Sequence, residues 1–120
     1  SDVYKRQEEA SQICDRLVIM DHGKILIEGT PADLVRQVVG REVVEVENAG
    51  RDVDTAVAEA GLHVERAGDR VCIRVDARSA RTGEEIRAAL AHRFPEHQVI
   101  LRNATLEDVF LSLTGRELRE

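Results

Sequence analysis

From Arg41 to Asn103 the hydrophobic pattern switches repeatedly between a period of two and a period of 3.6, which restricts the segment to a small set of mixed folds. Val44 and Val46 alternate with Glu45 and Glu47, the pattern of a half-buried strand. Val53, Ala56, Val57 and Ala60 then share one helical face, which Gly61 closes. Leu62 and Val64 alternate with His63 and Glu65, Gly68-Asp69 turns the chain, and Val71, Ile73 and Val75 alternate with Cys72 and Arg74. A second helical face holds Ile86, Ala89, Leu90 and Phe94, with Pro95 beyond its end. Gln98 to Arg102 reads as the last strand.

The resulting order, βαββαβ over residues 41–103, closes most simply as an antiparallel sheet with both helices on one face, the ferredoxin-like plan. Ahead of it lies a different texture. Ala10, Ile13, Cys14 and Leu17 fall at i, i+3, i+4 and i+7 of a helix that Glu8 and Glu9 open at its positive end and that stops near Asp15. Leu17 to Met20 is short and apolar on both faces, which suits a strand buried inside a sheet. Asp21-His22-Gly23-Lys24 signals a hairpin, because Gly23 accepts positive φ, and Lys24 to Glu28 returns as the second strand. Thr30 then caps a helix with Pro31 at its first position, Leu34, Val35, Val38 and Val39 on its apolar side and Gly40 at its close.

The fold class is therefore α+β: a helix, hairpin and helix over 8–40, the βαββαβ segment over 41–103, and a last helix and tail over 104–120. Thr105 and Asp108 form a capping box for that helix, Leu106, Val109, Phe110 and Leu113 make its stripe, and Gly115 stops it. Residues 1–7 carry neither period and are a loose tail.

Composition excludes several functions. With 42% hydrophobic and 33% charged residues the chain is globular, and its net charge of −6 argues against nucleic acid and anionic membrane surfaces. Apolar runs reach only four residues, so no segment is expected to insert in a bilayer. The two cysteines are too few for a disulfide framework, and without a basic-then-apolar leader the expected location is cytoplasmic.

Specific residues carry a resemblance. Glu8-Glu9-Ala10, Cys14-Asp15-Arg16, Asp21-His22-Gly23 and Gly29-Thr30-Pro31 with Leu34 resemble the last part of an ABC transporter ATPase domain. Ala104-Thr105-Leu106-Glu107-Asp108-Val109-Phe110-Leu111, with Leu113-Thr114-Gly115, is similar to the tail of ATPase subunits from ABC-2 type drug and lipooligosaccharide exporters, the daunorubicin-resistance-like group. The resemblance implies a subunit that binds ATP and Mg and couples ATP hydrolysis to export of a drug-like or lipid-like substrate. It also implies a separate membrane permease and a second ATPase subunit as partners, with the subunit peripheral on the inner face of the membrane.

The residues that would do this chemistry are not in the chain. No G-x-x-x-x-G-K-[ST] occurs, and the signature motif, glutamine loop and Walker-B strand would all precede Glu8. The family's switch histidine, five residues before the Ala of Glu-Glu-Ala, corresponds here to Lys5. The resemblance breaks off between Gln7 and Glu8, and the chain begins at Ser1, so a truncated reading frame with a non-family tail over 1–7 is expected. The expected catalytic, cofactor-binding and metal-binding residues are accordingly none, and this chain alone is expected to be inactive.

Other candidate chemistry has plainer explanations. Cys14, Cys72, His22, His63, His92 and His97 lack metal-ligand spacing; Cys14 is expected in a core and the histidines in solvent. Glu8-Glu9, Glu84-Glu85 and Glu107-Asp108 sit where the helix dipole favours acids, and adjacent helical residues do not face each other. Gly29-Thr30-Pro31 offers no nest of amides for phosphate. The alternative reading of the whole is a free-standing ferredoxin-like regulatory or protein-interaction module.

Overall fold

The computed structural model describes residues 16–75 and 79–115. The tail over 1–7, the helix expected from Glu8 to Asp15 and the core role of Cys14 lie outside the described residues. Among the described residues the architecture is α+β, with four helices and two antiparallel sheets. The chain divides into two compact units: residues up to Val39 together with those from Thr105, and Gly40–Ala104.

In the first unit β1 (Leu17–Asp21) and β2 (Lys24–Gly29) pair from Leu17↔Gly29 to Asp21↔Lys24, with an irregularity between Ile19 and Met20. The turn places both His22 (φ 51°) and Gly23 (φ 74°) in the left-handed region, as a two-residue turn matching strand twist requires. Histidine is among the few side-chain types that adopt this conformation with some frequency.

The expectation that Leu17 to Met20 is buried on both faces needs correction. Ile19 is buried, but Val18 is 45% and Met20 54% exposed. A two-stranded ribbon has no third strand or second layer to cover both of its faces. Ile25, at 62%, and Leu26 are exposed as well.

Thr30 starts α1 (Pro31–Val38), its Oγ1 accepting the Asp33 N–H at 3.2 Å with Pro31 inside the first turn. Helix α1 packs against α4 (Leu106–Thr114), where Leu34, Leu106, Val109 and Leu111 are buried. The Asp108 carboxylate accepts the Thr105 N–H at 2.8 Å and its hydroxyl at 3.1 Å, and left-handed Gly115 ends the helix at φ 71°.

The second unit follows the expected order: β3 (Glu42–Val46), α2 (Arg51–Glu59), β4 (Val64–Ala67), β5 (Arg70–Val75), α3 (Gly83–Arg93) and β6 (Val99–Asn103). Its strands lie in the order β4-β5-β3-β6, every neighbour antiparallel. β3 is central, pairing Val44 with Ile73 on one side and Leu101 on the other. Val44, Val46, Val71, Ile73 and Val99 meet Val53 and Val57 of α2 and Ile86 and Leu90 of α3 in one core. Gly83 fits there because a Cβ would come within 2.7 Å of Leu101 and 2.8 Å of Glu42. Two apolar positions assigned to the helical faces, Ala60 and Ala89, are exposed; the core closes on the larger side chains.

Candidate functional site

The paired acids in the described residues sit in the first turns of helices, and one of each pair, Glu85 or Asp108, is a cap. Glu85 Oε1 accepts the Thr82 N–H at 2.9 Å while Thr82 Oγ1 accepts the Glu85 N–H at 3.2 Å, a complete capping box at the start of α3. Those bonds from Thr82 hold the Glu85 carboxyl below its ordinary range. Glu84 is lowered by its hydrogen bond from Arg87, whose Nε lies at 2.8 Å. Glu107 and Asp108 occupy the first turn of α4, while Glu8-Glu9 lie outside the described residues.

The histidines do not converge. His22 is exposed in the β1–β2 turn, His92 is exposed on α3, and His63 Nε2 meets Glu65 Oε1 at 2.8 Å. His97 departs from the expectation of solvation: its side chain is 15% exposed and its ring lies 6.2 Å from that of Phe94. Among the described residues no three His, Cys, Asp or Glu side chains come together as metal ligands.

Glu45 is the functional-looking residue that pattern reading misses. It alternates with buried valines and so reads as solvent-facing, yet it is buried. Its Oε1 accepts from Arg102 Nε at 3.1 Å and Arg70 Nη1 at 3.3 Å, with Cys72 Sγ at 3.9 Å. Arg102, Arg70 and Cys72 come from β6 and β5, the two neighbours of β3, so the carboxylate braces three adjacent strands. A buried carboxylate needs such pairing to offset its lost hydration. Alternating arginines at Arg70 and Arg102 in flanking strands are the sequence signal that could have exposed it.

A second ionic clamp ties α2 to the β4–β5 hairpin. Arg66 Nε donates to Asp54 Oδ2 at 3.1 Å, its Nη2 bonds Asp54 Oδ1, and the same guanidinium reaches the carbonyls of Gly68 at 3.0 Å and Gly50 at 3.1 Å. The hydrogen bond from Arg66 lowers the Asp54 carboxyl below its ordinary range. This is a structural tie with no open coordination.

The start of α1 does not fit a nucleotide phosphate. Thr30 already accepts the Asp33 amide, and the Asp33 carboxylate, paired with Arg36, puts negative charge into the turn a phosphate would occupy. Gly29 has a packing reason: a Cβ there would lie 3.2 Å from Leu34 Cδ2. No step through ATP or Mg follows from these residues.

No protein-family model matches the chain. Curated relatives align over 94% of it: one from Neorhizobium galegae at 33% identity over 115 residues, one from Mesorhizobium japonicum at 35% over 115, and one from Ralstonia nicotianae at 36% over 122. Over this alignment the chain is similar to ATP-binding subunits of ABC transporters. Each of the three relatives is a Nod factor export ATP-binding protein I. The chain spans about a third of their length, 31%, 32% and 36% respectively. Among the described residues no helix is long and apolar enough to cross a membrane.

Proposed function

We propose that the chain is the C-terminal part of an ABC-2 type export ATP-binding subunit. Residues 8–40 complete the edge of its ATPase domain, 41–103 form an accessory domain, and 104–120 supply a closing helix and tail, with 1–7 outside the family pattern. The whole subunit couples ATP hydrolysis to export of a drug-like or lipid-like substrate through a separate permease. It works beside a second ATPase subunit, peripheral on the inner face of the membrane, with the groups that hold ATP and Mg in the sequence preceding Glu8.

The observation that carries this reading is the alignment of nearly the whole chain with export ATP-binding proteins about three times its length. The apolar exposure of Val18, Met20, Ile25 and Leu26 supports it, since a ribbon with that surface wants a larger sheet against it. For the accessory domain, the strand order β4-β5-β3-β6 supports the ferredoxin-like plan: second, third, first and fourth strands of the segment, all antiparallel. Its self-contained core keeps a free-standing interaction module as the second reading.

Calorimetry with ATP tests the assignment. The 120-residue chain should show no micromolar affinity and no hydrolysis, while the same chain preceded by the Walker-A-bearing segment of a relative should show both. Micromolar binding by the chain alone overturns the assignment.

A further inference from the structure

We propose that the outer edge of β6 is a dimerisation edge, pairing antiparallel with β6 of a second copy of this chain about a two-fold axis at Leu101. This goes beyond the transporter reading and does not depend on it. β6 ends its sheet, with β3 as its one strand neighbour among the described residues. The Ala104 N–H donates to the Arg41 carbonyl and the Glu47 N–H to the Gln98 carbonyl, both at 3.0 Å. Residues of an antiparallel strand bond alternately to one side and the other. Ile100 and Arg102 therefore turn their backbone groups to β3, while Val99, Leu101 and Asn103 turn theirs outward. Among the described residues these three outward N–H groups have no acceptor.

An edge in this state invites another strand, and proteins blunt such edges with short strands, Lys or Pro, or bulges. β6 carries no Lys and no Pro, and its register against β3 runs without a shift. Its single charged residue, Arg102, is drawn to Glu45 on its own sheet. Exposure agrees: one of five residues is buried in β6, against four of five in β3. The opposite edge is blunted. β4 is four residues long, and the Arg74 N–H bond to the His63 carbonyl fixes an alternation that turns only Val64 and Arg66 outward.

The occupant that fits this edge is a second β6. Antiparallel pairing about Leu101 sets Val99 of each copy against Asn103 of the other and Leu101 against Leu101, so that all the outward-facing residues exchange pairs of N–H···O bonds. On the face away from the helices Ile100 then stands opposite Arg102, and no like charges are opposed. On the helix-bearing face the two Leu101 side chains, each packed against its own core, meet at the axis. Neighbouring registers fit less well: an axis at Arg102 sets two arginines face to face, and one at Ile100 leaves Asn103 opposite His97, outside the strand. Arg102 Nη1 donates to the Asn103 carbonyl at 3.1 Å, which leaves that oxygen a second lone pair for the cross-strand bond. A two-fold pairing of one patch with itself closes at two copies and so gives a dimer rather than a fibre.

Sedimentation and amide exchange of the full chain carrying Ile25→Lys, which takes the exposed hairpin face out of any self-association, test the proposal. The chain should sediment as a monomer–dimer equilibrium. In the dimer the amides of Val99, Leu101 and Asn103 should exchange as slowly as those of Ile100 and Arg102; on dilution to monomer the first three should lose their protection and the last two keep it. Asn103→Pro, at an exposed residue, removes an outward N–H and leaves every bond to β3 in place. It should weaken the dimer about tenfold or more, with the amide spectrum of β3 and β5 unchanged. Four results overturn the proposal: a chain still monomeric at about 1 mM, a dimer in which the three outward amides stay fast, protection of those amides that persists in the monomer and so comes from the same chain, or an Asn103→Pro chain that dimerises as tightly as its parent.

Discussion

The hairpin β1–β2 and the sheet β4-β5-β3-β6 are built from similar residues and end in different physical situations. In the sheet, Val44, Val46, Val71 and Ile73 are each fully buried beneath two helices. In the hairpin, Val18, Met20, Ile25 and Leu26 project with 40–62% of their surface open. The same β-branched and aliphatic side chains thus serve one unit as a core and give the other an adhesive surface. A chain that folds for its own sake closes its apolar faces, and one that borrows a face from elsewhere leaves it open.

Substitutions can break or sharpen that contrast. The largest effect is expected at Ile73→Ala, fully buried in the sheet, which should cost about 3 kcal/mol in a denaturant melt followed at Gly40–Ala104 amides. Next comes Glu45→Ala: it removes the carboxylate that Arg70 and Arg102 share, and since their side chains stay about a third exposed or less, a loss of about 2 kcal/mol is expected, below that for a fully buried pair. A loss under a few tenths of a kcal/mol there would show that the strands need no brace.

Arg66→Ala should follow at about 1 kcal/mol, since it removes the Asp54 pair and two carbonyl bonds at a partly exposed site. Asp54 makes this contribution pH-dependent. Arg66 holds its folded carboxyl below the ordinary 3.8, so on acidification the unfolded chain takes up this proton first. The stabilisation is therefore complete above that ordinary value and is lost as pH falls through the lower folded one. Acid titration of Asp54→Asn should show a shallower decline than the original chain; identical acid limbs would remove Asp54 from the explanation. The smallest effect belongs to the hairpin: Ile25→Lys should move stability by no more than about 0.5 kcal/mol while reducing self-association in light scattering. A loss like that at Ile73 would end the contrast.

Periodicity made the elements of both units legible, and the structure shows where periodicity stops. Val44 and Val46 announce β3, but Glu45 between them reads as wet, because a one-dimensional pattern cannot show two arginines arriving from β5 and β6. Leu17 to Met20 reads as doubly buried, because an apolar run records what a strand needs and not what is beside it. Thr105, Asp108 and Gly115 were readable at single-residue precision, since caps are local chemistry. The resemblance to export ATPases rests on short strings at both ends of the chain, whereas the similarity to the curated relatives runs across 94% of it.

Native-state hydrogen exchange tests most directly whether the hairpin is the edge of something larger while the Gly40–Ala104 sheet stands by itself. Amides of β3, β5 and β6 should exchange through global opening of their unit, and those of β1 and β2 through far cheaper local opening, giving much weaker protection. Equal protection in the two sheets would contradict the account.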